Sequence, residues 1–188
     1  MANLLPTAIS YESKSILAKL QSGELVFNIY QADGFQIFEA ALLCQIDIQK
    51  AWESFQRFPS IWENLKTTGS HERRVIKKNL QDPEIAVGNV IQAEAIVFGV
   101  PIKMENTITH LVYQDMFHLS VRALGGRFES EVEAKIQSCG PNQTLLVWRQ
   151  GYPQGNILSY FTSHVLRGRE GKETKAVMSL WAKEVESR

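Results

Sequence analysis

The chain has 188 residues, of which 44% are hydrophobic and 21% charged. This length corresponds to little more than one domain, and this composition excludes a disordered or low-complexity chain. Twenty basic side chains balance twenty acidic ones, so no net charge attracts the molecule to nucleic acid.

Cysteine content and hydropathy limit where the protein is expected to work. Two cysteines, Cys44 and Cys139, exclude a disulfide-rich scaffold and a zinc site of four cysteines. The first residues lack the basic and apolar regions of a signal peptide, so we expect a cytoplasmic protein. The densest apolar run, 38–46, is too short to span a bilayer, which argues against stable membrane insertion.

Local patterns in the first third of the chain predict three short helices and two strands. Apolar residues three to four positions apart indicate the helices, and alternation indicates the strands. Asp33-Gly34 is typical of a hairpin turn, and Asp47 is a favourable N-cap. The predicted elements are a helix at 9–20, strands at 24–31 and 35–46, a helix beginning after Asp47 and a helix at 60–65.

From residue 71 the apolar period changes from 3.6 to 2, which predicts a meander of antiparallel strands. The predicted strands are 72–78, 89–98, 101–113, 116–124, 127–137 and 143–150. Helical spacing returns after Gly155. Gly168 and Gly171 predict a break or loose turn between two apolar stripes of the terminal helix.

This order of elements predicts an α+β fold of the helix-grip type. A curved antiparallel sheet wraps around a long C-terminal helix, with two short helices after the strand at 35–46. A cavity between the helix and the sheet is the expected ligand site, provided that the helix crosses the sheet without filling it. Residues 1–34 are expected to form a helix and edge-strand extension, and residues 35–188 a single domain.

Several segments carry a resemblance to a known family over about four fifths of the chain, 35–187. They are the strand and helix at 38–52, Phe58-Pro59 through Trp62, Val97-Phe98-Gly99-Val100-Pro101-Ile102, Gly126-Arg127-Phe128 and the amphipathic C-terminal segment. In this order they resemble the START and pollen-allergen-like (SRPBCC) superfamily, in its polyketide cyclase/dehydrase-like and lipid-transport branch. The resemblance implies a hydrophobic cavity for lipids, sterols or polyketide-like molecules, in a carrier, a sensor or an enzyme.

Strand alternation predicts which side chains face that cavity, and the terminal helix adds its apolar stripe. The candidate ligand-binding residues are Met104, Asn106, Ile108, His110, Phe128, Ser130, Trp148, Ile157, Tyr160, Phe161 and His164. The opposite parity is predicted to face solvent, including His118, Glu131 and Glu133. Trp52, Trp62 and Trp181 are predicted as packing anchors.

Each candidate also has a purely structural interpretation. His110 can orient a ligand or transfer a proton, or it can be held by a neighbouring side chain. Tyr160 and His164 either gate a ligand or lie at the helix border. The basic clusters at 71–78 and 167–175 are interleaved with glutamates, which favours a solvated surface over contact with anionic lipid.

Three functions remain open at this point. The first is binding or transfer of a hydrophobic small molecule, and the second is a polyketide aromatase/cyclase or dehydratase that uses His110 or His164. The third is a regulatory module in which a ligand reshapes the turn at 168–171.

No His-x-x-x-His or Cys-x-x-Cys spacing is present, so we expect no metal and no cofactor. The expected partner is a hydrophobic small molecule and not nucleic acid, and the protein is expected to be a monomer or homodimer.

Overall fold

The structure is a computed structural model that describes residues 5, 11, 13–56, 73–79, 85–97, 100–165 and 167–186. Its helices are α1 (Lys14–Gln21), α2 (Ile48–Phe55), α3 (Ile157–Val165) and α4 (Arg167–Glu186). Its strands are β1 (Val26–Ala32), β2 (Phe35–Cys44), β3 (Arg73–Asn79), β4 (Val90–Val97), β5 (Val100–Val112), β6 (Met116–Ala123), β7 (Phe128–Gly140) and β8 (Gln143–Pro153). A 3-10 turn, Leu124–Gly126, joins β6 to β7. The predicted helix at 60–65, Trp62 and His71 lie outside the described residues.

The strands form one antiparallel sheet of eight strands in the order β1-β2-β8-β7-β6-β5-β4-β3. Strands β3 to β8 follow one another as the predicted meander, and β2 pairs with β8. Strand β1, in the N-terminal extension, is an edge strand beside β2. Helices α2 and α4 pack against this sheet, so the helix-grip prediction is confirmed.

Register divides the side chains of the sheet between two faces. Phe117, Ala134, Trp148 and Ala40 are directly opposite one another on four adjacent strands, and all four belong to the main hydrophobic core. We call their side the concave face, and the other side the outer face. Because side chains alternate along a strand, the neighbouring row of residues points to the outer face.

Aromatic side chains fill the part of the concave face beneath α2 and α4. Trp181, fully buried on α4, stacks on Phe55 of α2 with ring centroids 4.9 Å apart. Its indole Nε1 donates to Ser54 Oγ at 2.8 Å. Phe55 in turn meets Phe117 edge to face at 5.0 Å. Trp52, 5% exposed, meets Phe55 edge to face at 5.7 Å, so Trp181 and Trp52 are both packing anchors, as the sequence predicts.

The two glycines of the C-terminal segment lie within a helix. Helix α3 ends at Val165 and α4 begins at Arg167, so Gly168 and Gly171 both lie inside α4. The break or loose turn predicted at 168–171 is therefore wrong. Gly171 instead allows close packing, because a Cβ there would lie 3.1 Å from Phe27 Cζ of β1.

The N-terminal extension covers part of the outer face. Leu20 of α1 is buried against Ala41 and Val147, with Tyr11 packed beside them. Leu5, only 3% exposed, lies against Gly151 of β8. Outer-face residues of β2 and β8 are therefore shielded from water, and this determines the electrostatics described next.

Candidate functional site

Two polar side chains lie in the apolar wall of the concave face. Asn106 of β5 and Ser130 of β7 are each 1% exposed, and both are opposite Val121 of the intervening β6. Asn106 Nδ2 donates to the Ile91 carbonyl at 3.0 Å. Within the described part of the chain, Asn106 Oδ1 and Ser130 Oγ have no hydrogen-bond partner. We call these residues the Asn106–Ser130 pair.

The surroundings of the Asn106–Ser130 pair are apolar. Residues of the same parity on β5, β6 and β7 are Met104, Ile108, Leu119, Ala123 and Phe128. A buried polar atom left without a partner costs roughly 1–3 kcal/mol, so such atoms usually face a ligand or ordered water. Strands two apart are separated by about 10 Å, which sets the spacing of the two polar groups.

His110 does not face this wall, although it was predicted to do so. The β5–β6 register shifts between Ile108 and His110, because Thr109 is an extra residue on β5. Ile108 is opposite Leu119, whereas His110 is opposite His118 on the outer face. The two imidazole rings meet edge to face at 5.9 Å. The predicted orientation of His110 is therefore wrong.

A row of polar residues crosses the outer face in register. We call Glu39, Arg149, Glu133, His118 and His110, which are opposite one another on β2, β8, β7, β6 and β5, the outer-face ladder. Arg149 Nη1 donates to Glu133 Oε1 at 2.6 Å, and Arg149 Nε lies 3.4 Å from Glu39 Oε1. The Tyr30 hydroxyl donates to Glu39 Oε2 at 2.5 Å.

Apart from His110, which is half-buried, the outer-face ladder is buried, contrary to the prediction that His118 and Glu133 face solvent. Glu39 and His118 are 0% exposed and Glu133 is 3% exposed. The Tyr11 hydroxyl of the N-terminal extension donates to Glu39 Oε1 and so closes one end of the row. Sequence parity identified the face of His118 and Glu133, but no local signal shows that another segment covers them.

Burial also shifts the proton affinities of two neighbouring groups. Burial, together with the nearby His110, lowers the pKa of His118 to about 4. Burial raises the pKa of Glu131, whose Oε2 lies 3.4 Å from His118 Nε2, to about 7. Thr109 Oγ1 lies 2.7 Å from His118 Nδ1. At neutral pH His118 is therefore an uncharged imidazole held by its neighbours, which suits a structural role.

Helix α3 presents an unexpected side to the sheet. Its buried residues are Ser159 and Ser163, whereas Ile157 is 83% and Phe161 50% exposed. The β7–β8 pairing ends at Glu131. At Glu129, two residues nearer the start of β7, β8 is no longer paired. There Ser159 Oγ donates to the Glu129 carbonyl at 2.5 Å and accepts from the Glu129 N–H at 3.1 Å. The Ser159 hydroxyl thus takes the place of the hydrogen bonds that a neighbouring strand would make to Glu129. Because Ile157 and Phe161 are exposed, the prediction that the apolar stripe packs over the cavity is wrong.

Tyr160 and His164 interact chiefly with each other on α3. Their rings stack with centroids 4.0 Å apart, and His164 Nδ1 lies 3.0 Å from the Tyr160 carbonyl oxygen.

Burial and the nearby Glu186 carboxylate raise the pKa of the Cys44 thiol to about 12, so Cys44 is a poor nucleophile. Over the described ranges, no group of three or more His, Cys, Asp or Glu residues could hold a metal ion.

Comparisons with known proteins identify the fold. No family model matches the sequence, and no curated protein matches it. Truncated norcoclaurine synthase from Thalictrum flavum is similar in structure, with a TM-score of 0.57 and 9% identity over 85% of this chain and 99% of that one. Ara h 8.0201 has a TM-score of 0.56 and 9% identity over 82% and 100% of the two chains. Protein CV1439 from Chromobacterium violaceum has a TM-score of 0.56 and 12% sequence identity, over 80% of this chain and 96% of that one. This chain has the START and pollen-allergen-like (SRPBCC) fold.

In this SRPBCC fold the Asn106–Ser130 pair lies away from the open surface. A pocket of about 510 Å³ adjoins the β4–β5–β6 end of the sheet, and Met104 is the predicted ligand-binding residue in its lining. Its lining also includes Gln92, Glu105, Arg122 and the turn Leu124–Gly126. Trp148, 1% exposed, meets Phe117 edge to face at 6.5 Å within the concave-face core. The SRPBCC sheet therefore has a packed aromatic half and a second half that contains the Asn106–Ser130 pair.

None of the helices that the structure describes is both long and apolar enough to cross a lipid bilayer. Assignment to the polyketide cyclase/dehydrase-like or lipid-transport branch of the SRPBCC superfamily stays a prediction.

Proposed function

We propose that the protein binds a hydrophobic small molecule on the concave face, against the Asn106–Ser130 pair. The observation that carries the proposal is that two buried polar atoms, Asn106 Oδ1 and Ser130 Oγ, lack partners within the described residues of an otherwise apolar wall. Buried polar atoms in folded proteins are almost always paired. A ligand with polar groups on an apolar frame would pair both atoms.

The chemistry of the wall defines the ligand class. Asn106 Oδ1 only accepts hydrogen bonds, so it suits a ligand hydroxyl or N–H, whereas Ser130 Oγ can donate or accept. Met104, Ile108 and Phe128 would contact the apolar frame, and burial of that frame contributes about 25 cal/mol per Å². Lipids, sterols and polyketide-like molecules with one or two polar groups fit this description.

Access to the pair requires movement, because both residues are almost completely shielded from water. Asn106 Oδ1 and Ser130 Oγ are themselves buried. The ligand would therefore separate the sheet from the elements packed on it when it enters. Binding should accordingly stabilise the folded protein against unfolding, by an amount that rises with the logarithm of the ligand concentration once this exceeds Kd.

The enzyme alternative loses one of its two candidate residues. A polyketide aromatase/cyclase or dehydratase was expected to use His110 or His164 in the cavity, and His110 lies on the outer face. Norcoclaurine synthase, with the same fold, is by its name an enzyme, but the fold does not determine the chemistry. We therefore favour binding over catalysis. A cytoplasmic location and a monomeric or homodimeric state stay predictions from the sequence.

Ligand extraction and a displacement assay test the proposal. Native mass spectrometry of freshly purified protein should detect a co-purifying hydrophobic molecule, and oleate or cholesterol should displace the dye 1-anilinonaphthalene-8-sulfonate. Ser130→Ala and Asn106→Leu should each weaken binding of a hydroxylated ligand about tenfold, the effect of one lost hydrogen bond.

Ser138→Ala, an exposed serine on the same β7, is the matched control and should bind like the wild type. The proposal fails if folded protein retains no hydrophobic molecule and binds none of the added compounds. It also fails if both variants of the Asn106–Ser130 pair bind every ligand with wild-type affinity.

A further inference from the structure

Helix α3 exposes a continuous apolar stripe at the protein surface. Ile157, Phe161 and Val165 are four residues apart and 83%, 50% and 59% exposed, and Tyr160 beside them is 48% exposed. An amphipathic surface helix normally turns its apolar side to the core. Here the opposite side packs inward, because Ser159 bonds the β7 backbone. The apolar stripe is therefore left facing water.

In the segment 167–175, which follows this stripe, the exposed charged side chains are basic and the acidic ones are buried. Arg167 and Lys172 at the start of α4 are exposed. The two carboxylates of the same segment, Glu170 and Glu173, are only 5% and 7% exposed, and Glu170 accepts a hydrogen bond from Tyr152. The sequence shows acidic and basic residues interleaved, but the fold buries the acidic ones. The interleaving that favoured a solvated surface for 167–175 is therefore absent from the surface itself.

We propose that the apolar stripe of α3, with Arg167 and Lys172, docks the protein onto an anionic lipid surface. Apolar and aromatic side chains on one side of a short helix, bordered by basic residues, have the chemistry that binds the interface of an anionic bilayer. The stripe would enter the headgroup region, and the two cations would contact lipid phosphates or carboxylates.

Charge favours an anionic lipid surface over a second copy of the chain. A two-fold symmetric contact through this stripe would place the exposed cations of both copies beside one interface with no exposed carboxylate from 167–175 to pair with them, and like charges at an interface oppose association. An anionic bilayer pairs with both cations at once. This inference does not depend on the Asn106–Ser130 pair, because docking needs no bound ligand.

Vesicle co-sedimentation of the full chain tests the proposal. The protein should bind vesicles of phosphatidylcholine and phosphatidylserine at about three to one, and should bind phosphatidylcholine alone much more weakly. Binding should fall when salt rises from on the order of 0.1 M to 0.5 M, because salt screens the charges. Phe161→Gln should weaken binding about tenfold through lost apolar burial. Lys172→Gln should weaken it about fivefold through one lost charge.

Matched variants elsewhere separate docking from general effects. Lys183→Gln removes an exposed cation near the other end of α4, and Val100→Gln removes an exposed apolar side chain on β5. Both should bind vesicles like the wild type, and all four variants should keep the wild-type melting temperature. The proposal is overturned if anionic vesicles do not bind, or if Lys183→Gln weakens binding as much as Lys172→Gln. Concentration-dependent self-association that Phe161→Gln abolishes, without vesicle binding, would assign the stripe to a second copy instead.

Discussion

Arg149 lies between two buried carboxylates of the outer-face ladder, and its replacement by methionine tests how that face is held together. The Arg149 side chain is 5% exposed, within 2.6 Å of Glu133 Oε1 and 3.4 Å of Glu39 Oε1. Arg149→Met keeps a long apolar stem but leaves both carboxylates without their cation. Removal of one partner from a buried ion pair costs about 3–5 kcal/mol. For a chain of this size, the melting temperature should fall by on the order of 10 °C.

Urea and thermal unfolding followed by circular dichroism measure this loss. Arg122→Met is the matched control, because Arg122 is 66% exposed and lies 3.7 Å from Glu129 on the same face. That exposed pair should contribute less than about 1 kcal/mol. Arg149→Met combined with Glu39→Gln and Glu133→Gln removes the unpaired charges and should recover most of the lost stability. If Arg149→Met is no more destabilising than Arg122→Met, the outer-face ladder is not buried and the reasoning is refuted.

Other predictions concern the same face. Burial raises the pKa of Glu131 from 4.5 to about 7, so the stability it contributes is complete below pH 4.5 and is lost as the pH rises through 7. Glu131→Gln should flatten urea-unfolding stability over that window, and an unchanged profile would contradict the assignment. Burial lowers the pKa of His118 from 6.5 to about 4, so its contribution is complete above pH 6.5 and is lost as the pH falls through 4. His118→Gln should remove this acid limb, whatever its effect on total stability. Gly151→Ala should displace Leu5, which a Cβ would overlap, and cost about 1–3 kcal/mol. Gly155→Ala, with open space around it, should leave stability nearly unchanged, and equal effects at the two glycines would argue against the contact with Leu5.

Strand order and parity could be predicted from the sequence because they depend on local patterns. The meander from β3 to β8 follows from alternation interrupted by turn residues, and the structure confirms it within a few residues. Alternation also assigned Asn106 and Ser130 to the apolar side, where the structure has them. Whether they bind a ligand stays a prediction. The pairing of β2 with β8 joins distant segments, so no local pattern indicates it.

The error at His110 had a signal in the sequence that simple alternation overlooks. Before the bulge the apolar residues of β5 are even-numbered, as in Met104 and Ile108, whereas the next one is Leu111. A change of phase within one strand is what a single extra residue produces. Leu111, opposite Phe117, then returns to the concave face, and His110 moves to the outer face. A strand whose apolar positions change parity should therefore be divided at that point before its side chains are assigned to faces.

The errors at α3 and at the outer-face ladder have a different cause. Periodicity shows which residues share a side of an element, but burial depends on what else covers that side. Glu133 has the sequence context of a solvent-exposed strand position. It is nevertheless buried with Arg149 on the outer face, which the N-terminal extension partly covers. Ile157 has the context of a core position, yet it is exposed because Ser159 satisfies the β7 backbone where β8 departs. In both cases the requirement to pair backbone groups and charges outweighed the local hydrophobic pattern. Pairing of this kind becomes visible only when the strand register is known.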